Sequence, residues 1–373
     1  MRPASQDSIL PRMSDAVSQP SVRTPDRLVL DDGKPKPVSS SKPAPLIDAF
    51  QRRISYLRLS VTDRCDLRCT YCMPERMTFL PKREVLSLEE LYELASGFID
   101  RGVTKIRITG GEPLVRRDIM DLFTALGRRL GHDLQELTLT TNATQLADHA
   151  DGLAKAGVRR VNISLDTLDR ARFAELTRRD ALPQVLEGIA AARDAGLKVK
   201  LNAVALQGVN EDELPDLIAW AHGEGHDVTL IEVMPLGDVE EERLDQYLRL
   251  DTVRSRLEER WTLTDNAVSS GGPARYVDIA ETGGQLGFIT PHSNNFCASC
   301  NRLRVTATGQ LYPCLGGSER VDLRAALRSD NPQEALAKGL DQAMAIKPER
   351  HHFRMDERGA GPALARHMSM TGG

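Results

Sequence analysis

Residues 56–72, YLRLSVTDRCDLRCTYC, decide the fold. The first residues alternate apolar and polar side chains, the period-two pattern of a strand with two unlike faces. Directly behind them come Cys65, Cys69 and Cys72, spaced Cys-x3-Cys-x2-Cys. A strand whose C-terminal end opens into a loop of chemistry-bearing residues is the working end of a parallel β/α arrangement. Three thiolates from one short loop suit a cubane iron-sulfur cluster that keeps one iron open, since such clusters normally take four. Structural zinc is the competing reading, but it favours four ligands in two separated pairs.

Working outward, runs of the same kind recur at 105–109, 137–140, 160–165, 198–203 and 228–234. Helix-length amphipathic segments lie between them at 87–101, 117–130, 146–156, 182–195 and 211–222. Strands alternating with helices imply a parallel sheet with right-handed crossovers. Gly102, Gly131, Gly157, Gly196 and Gly223 stand where left-handed caps would end the helices. One strand face carries Leu57, Leu59, Ile106, Ile108, Leu201, Ile231 and Val233. The other carries Arg58, Ser60, Arg107, Thr109, Thr140, Ser164, Lys200, Asn202, Glu232 and Met234. A closed barrel fills its lumen with packed side chains, so a polar inner face predicts an open, six-stranded, partial TIM-type βα barrel with a large polar ligand on its concave side. An antiparallel sheet with one wet face is the alternative, disfavoured by the helix-length connections.

The chain has 373 residues and a net charge of −4, which gives no bulk field to attract nucleic acid or an anionic membrane. No apolar run approaches the roughly 20 residues of a membrane span. Six cysteines fall into two tight groups of three, a pattern that suits metal ligation in a reducing compartment, so a cytoplasmic location is expected. Residues 1–48 are rich in Pro, Ser and charge and predict a disordered tail. The barrel is expected over 49–245. A smaller C-terminal domain is expected over 246–373, with a helix at 250–259 and strands near 276–279 and 286–289.

In that domain Cys297, Cys300 and Cys314 again supply three thiolates, which fit either zinc completed by His292 or a second cluster. Arg302 and Arg304 stand beside them in an extended segment. With Arg58, Arg107 and Lys200 they make five cations directed at one cavity. Buried cations need a counter-charge, and a triphosphate matches guanidinium groups well. Pairing with Glu232 or other carboxylates is the alternative for one or two of them.

The Cys65, Cys69, Cys72 spacing resembles the signature of the radical S-adenosylmethionine superfamily. The resemblance implies a 4Fe-4S cluster whose open iron chelates S-adenosyl-L-methionine (SAM), which is cleaved to a 5'-deoxyadenosyl radical. Tyr71 is similar to the aromatic residue at the adenine, and Gly110-Gly111-Glu112-Pro113 to the methionine-binding motif, whose glycines would expose backbone amides. Gly111, Glu112, Ser164 and Met234 are the implied cofactor contacts. The joint order of Arg58-Leu-Ser-Val-Thr, Arg107-Ile-Thr-Gly-Gly-Glu-Pro, Thr140-Thr-Asn, Ser164-Leu-Asp, Lys200-Leu-Asn, the second cysteine group and Gly372-Gly373 further resembles the GTP 3',8-cyclase family of molybdenum cofactor biosynthesis, over about residues 50–373. This implies a second 4Fe-4S cluster and a GTP site formed by Arg58, Arg107, Thr140, Lys200, Arg302, Leu303 and Arg304. It also implies catalytic roles for Arg58, Arg304 and Gly372, the terminal glycines threading into the site. The implied partners are a flavodoxin- or ferredoxin-like electron donor and a downstream cyclic pyranopterin monophosphate synthase, acting with a monomer or homodimer. Ala143 departs from the family, which often has glycine there. Two other readings stay open: a radical peptide-modifying enzyme with an auxiliary cluster, and a zinc-binding protein without catalysis.

Overall fold

The alternating runs become strands and the amphipathic segments between them become helices. In chain order they are β1 (Tyr56–Ser60), α1 (Leu88–Asp100), β2 (Lys105–Thr109), α2 (Ile119–Gly127), β3 (Glu136–Thr141), α3 (Leu146–Lys155), β4 (Arg160–Ser164), α4 (Arg170–Thr177), α5 (Leu182–Asp194), β5 (Lys198–Ala205), α6 (Leu214–Gly223) and β6 (Asp227–Glu232). The computed structural model describes residues 43–237, 239, 243–268, 271–293, 296–351, 353 and 364–372. Most of the expected tail, residues 1–42, lies outside them, as does Gly373. Residues 43–48 do not behave as tail: Leu46 is buried, and its backbone accepts from Ile54 and donates to Arg101.

Local chemistry sets the boundaries. Helix α1 opens with a capping box, in which Ser87 Oγ accepts from the Glu90 amide at 3.1 Å and the Glu90 carboxylate accepts from the Ser87 amide at 2.8 Å. Helix α4 was not expected, because RARFAELT shows no clear apolar stripe. Its start is fixed by Asp169, which accepts from the Arg172 amide at 2.7 Å. Four of the five expected glycine caps take positive φ; Gly223 instead belongs to α6, and Gly225 makes the left-handed turn at φ 78°.

The remaining chain adds α7 (Arg243–Gln246), α8 (Leu250–Glu258), β7 (Leu263–Asn266), β8 (Arg275–Ile279), β9 (Gln285–Ile289), β10 (Arg302–Val305), β11 (Gln310–Tyr312), β12 (Val321–Asp322), α9 (Leu323–Leu327), α10 (Pro332–Ile346) and α11 (Met368–Thr371). Among the described residues the twelve strands form one sheet, ordered β12-β11-β10-β1-β2-β3-β4-β5-β6-β9-β8-β7. Strands β1 to β6 are parallel neighbours in sequence order, as an open partial barrel requires. The later strands lengthen this sheet at both edges. Strand β9 pairs parallel with β6, and β10 pairs parallel with β1.

Leu57, Leu59, Ile106, Ile108 and Leu201 are fully buried, as are Leu91, Leu94 and Phe98 of α1. On β6 the expected faces are exchanged. Thr229 and Ile231 are in register with Asn202 and Val204, so the concave face carries Thr229 and Ile231, and Glu232 belongs to the opposite one. There the Glu232 carboxylate accepts from Ser293 Oγ at 2.5 Å and from the His292 amide at 3.1 Å. Among the described residues no helix is long and apolar enough to cross a membrane.

Candidate active site

The first cysteine loop is anchored before any ligand is considered. Arg68 and Thr70 donate their amides at 2.9 Å to the carbonyls of Thr177 and Leu176, so the end of α4 fixes the loop between Cys65 and Cys72. All three cysteines line a cavity of about 160 Å³ together with Tyr71, Gly111, Ser164 and Met234. Burial pushes the Cys65 and Cys69 thiols well up, and the carboxylates of Glu112 and Asp66 add to the effect at Cys65. Thiols so reluctant to ionise need a bound cation to become thiolates, and three sulfurs from one loop are the soft donor set of an iron-sulfur cluster. Among the described residues no three His, Cys, Asp or Glu side chains are spaced to share a single metal ion. Tyr71 donates its hydroxyl at 2.8 Å to Asp166, whose other oxygen accepts from the Val204 amide at 2.8 Å. Burial raises the Asp166 carboxyl to about 6.

The glycine motif has a different local role from the one expected. The Gly111 amide donates to Thr62 at 2.9 Å and the Glu112 amide to Arg64 at 2.7 Å, so both are committed to the cysteine loop. A Cβ on Gly111 would lie 2.3 Å from the Arg64 carbonyl oxygen, and that backbone contact is what requires glycine. The Glu112 side chain is fully buried and does not line the cavity. Its carboxylate accepts from the Asn142 amide at 2.6 Å, from Thr141 Oγ1 at 2.8 Å and from the Leu114 amide at 3.0 Å. Glu112 therefore ties the end of β2 to the end of β3 instead of facing a ligand.

The expected cations do converge. Arg304, Arg58 and Arg107 are in register across β10, β1 and β2. Arg58 is 7% exposed; burial, with Arg107 and Arg302 nearby and against the pull of Tyr56, brings its guanidinium down to about 9. Burial likewise brings Lys200 down to about 7, with Arg160 and Arg107 contributing. Arg58 Nε and Nη2, Arg107 Nε and Thr140 Oγ1 are buried without a hydrogen-bond partner among the described residues. Buried donors of this kind mark a place built for an anionic, oxygen-rich group. Glu232 does not neutralise them, since its oxygens are taken by the 292–293 turn. Lys200 bonds to the Tyr276 hydroxyl and lies 4.3 Å from that ring's centre. Leu303 is the exception. It is in register with Leu57 on the apolar face, so its side chain points away from Arg302 and Arg304.

The chain end reaches this same place. Arg304 Nη1 donates to the Gly372 carbonyl at 2.7 Å, and Met368 and Ser369 line the cysteine cavity. Gly372 adopts φ 72°, and a Cβ there would lie 2.1 Å from Thr109 Oγ1. At the second trio Arg302 Nη2 stands 3.9 Å and Lys347 Nζ 3.7 Å from Cys300 Sγ. Burial opposes ionisation of Cys300, yet Arg302 and Lys347 outweigh it and bring the thiol to about 7. His292 Nε2 donates to the Val233 carbonyl at 3.0 Å.

Residues 59–221 match the Radical SAM superfamily, and residues 226–353 match Molybdenum Cofactor Synthesis C. A GTP 3',8-cyclase of Erythrobacter litoralis is 73% identical over 88% of this chain and 98% of its own. The chain belongs to the GTP 3',8-cyclase family. A second GTP 3',8-cyclase, from Rhizobium etli, is 57% identical over 88% of this chain and 94% of its own. The crystal structure of Streptococcus suis SuiB bound to S-adenosylmethionine shares the fold at a TM-score of 0.54 and 18% identity, over 77% of this chain and 68% of that one.

Within this GTP 3',8-cyclase family member several site residues had little or no warning in the sequence. Asn142 Nδ2 donates to Asp66 at 2.7 Å and lies 3.7 Å from Cys65 Sγ. Thr144 Oγ1 closes the network on the other Asp66 oxygen at 2.5 Å. Thr140-Thr-Asn offered a partial signal, whereas the pairing of Asp166 with Tyr71 offered none. Glu112→Gln should lower stability by about 2 kcal/mol, because the new amide brings N–H groups toward three donors that need an acceptor. Thermal unfolding of the variant checks this, and an unchanged melting temperature would contradict the bracing role.

Proposed function

We propose that this protein converts GTP to (8S)-3',8-cyclo-7,8-dihydroguanosine 5'-triphosphate, the first step of molybdopterin biosynthesis, as a radical SAM lyase. The observation that carries the reading is the in-register row of Arg304, Arg58 and Arg107 across β10, β1 and β2, with buried donors of Arg58 and Arg107 that have no partner among the described residues. Residues 49–245 supply the radical half of the site, and residues 246–373 the remaining nucleotide contacts. Cys65, Cys69 and Cys72 would hold one 4Fe-4S cluster and Cys297, Cys300 and Cys314 a second, while Tyr71, Gly111, Ser164 and Met234 would line SAM. When bound there, the first cluster and SAM would supply the radical chemistry that removes the ribose 3' hydrogen.

The chain's own residues set where that hydrogen lies. Arg58, Arg107, Lys200, Arg302 and Arg304 clamp the anionic substrate, and Thr140 orients it from β3. The Arg304 contact with Gly372 lays the chain end along the site, which helps to exclude water from reactive species. A flavodoxin- or ferredoxin-like protein is the matching electron donor, and cyclic pyranopterin monophosphate synthase would consume the product.

An anaerobic assay with GTP, SAM and a reductant should give 5'-deoxyadenosine and a cyclised nucleotide in matching amounts. Formation of neither product by iron-replete protein would overturn the reading. Arg107→Ala should weaken GTP binding by about tenfold or more while leaving guanosine binding nearly unchanged, since a charged hydrogen bond is worth about 1.5 to 3 kcal/mol. Titration calorimetry with both ligands separates the cases, and equal losses would contradict phosphate clamping.

A further inference from the structure

The second cysteine trio is gripped from behind by one short segment, residues 347–349, that directly follows α10. Lys347 is only 3% exposed. Its ammonium donates to the carbonyl of Pro313 at 2.6 Å and of Arg302 at 3.1 Å, and lies 3.7 Å from Cys300 Sγ. The next two carbonyls, of Pro348 and Glu349, accept from Arg52 at 2.6 and 2.7 Å, and the same guanidinium reaches the Cys297 carbonyl at 2.9 Å. The clasp thus touches the chain at Cys297, at Cys300 and immediately before Cys314.

A buried ammonium is costly unless a negative group faces it. Two of its three contacts are neutral carbonyls. Asp48, a carboxylate that acts on it, is already bonded to Arg52 at 2.6 Å. The remaining contact is sulfur. The first trio has mixed surroundings, with Asp66 3.9 Å from Cys65 Sγ and the Arg68 guanidinium donating to the Cys65 carbonyl at 2.6 Å.

We propose that Lys347, with Arg302 on the same sulfur, is a positioning and charge-compensating residue of the second trio, holding its thiolates together and making the cluster bound there easier to reduce. The proposal rests on the reading that Cys297, Cys300 and Cys314 hold a 4Fe-4S cluster. A positive charge beside a cluster stabilises its reduced, more negative form, and carboxylates beside a cluster do the reverse.

The test uses the full-length protein with both clusters reconstituted, as wild type, Lys347→Met and Lys347→Arg, with iron counts and EPR-monitored redox titrations. In Lys347→Met the second cluster should titrate at a lower potential while the first is unmoved, and Lys347→Arg should stay close to wild type. A drop from about eight irons to about four in Lys347→Met, restored in Lys347→Arg, supports the same role. Full iron and an unmoved second potential in Lys347→Met would overturn the proposal and leave the cluster assignment standing. Equal loss of the second cluster in both variants would overturn the role given to charge. Wild-type protein with iron only at Cys65, Cys69 and Cys72 would overturn both the proposal and the reading beneath it.

Discussion

Gly372→Ala should reduce cyclisation by about a hundredfold or more while leaving the melting temperature nearly unchanged. Gly372 has φ 72° and ψ 125°, a conformation that side-chain-bearing residues rarely adopt. The added methyl would also lie 2.1 Å from Thr109 Oγ1 and 2.4 Å from Thr109 Cβ, and Thr109 belongs to a central strand that cannot retreat. The chain end must therefore withdraw, taking with it the carbonyl that Arg304 holds at 2.7 Å. Because this is a short terminal segment, the core should be little affected. Anaerobic product analysis beside a thermal melt checks both halves of the expectation. Wild-type cyclisation by the variant would show that the chain end is a bystander.

The second large effect separates the two cysteine trios. Cys65→Ala should abolish SAM cleavage altogether, because on the proposed assignment it removes a ligand of the cluster that would reduce the cofactor. Cys314→Ala should leave measurable 5'-deoxyadenosine formation but stop cyclisation, because on the proposed assignment it damages only the second cluster, on the substrate side. The ratio of 5'-deoxyadenosine to cyclised nucleotide is the decisive quantity. It stays undefined in the first variant and rises steeply in the second. Equal retention of cyclisation in both would contradict the division of labour.

Much of this arrangement is legible along the chain, for reasons that can be located. Strands β1 to β6 announce themselves because each buries one apolar face, and Arg58, Arg107 and Lys200 are conspicuous as charges inside those runs. The failures have physical causes as well. Strand β6 looked as though its polar Glu232 should face the ligand, yet a buried carboxylate can equally serve the backbone of a turn, and there it holds residues 292 and 293. Leu303 inherited a ligand role from its flanking arginines, although alternation along a strand places it on the opposite side. The pairing of β10 with β1 was illegible because nothing local specifies a partner so distant in sequence. Lys347 gave no signal, since a lone lysine behind a helix is ordinarily solvated. Ala143 shows the reverse case: the departure from glycine was visible, and the residue does take a left-handed φ of 66°.

The in-register guanidiniums on β10, β1 and β2 have one more effect, on the mechanics of the sheet. Like charges set side by side repel, which weakens the seam between β10 and β1 that backbone pairing, the apolar layer beneath it and the Asn301–Ser55 side-chain bond hold shut. A polyanion laid across that row works as a rivet. It turns repulsion into attraction at that joint, so on the proposed function the substrate would complete the architecture that binds it.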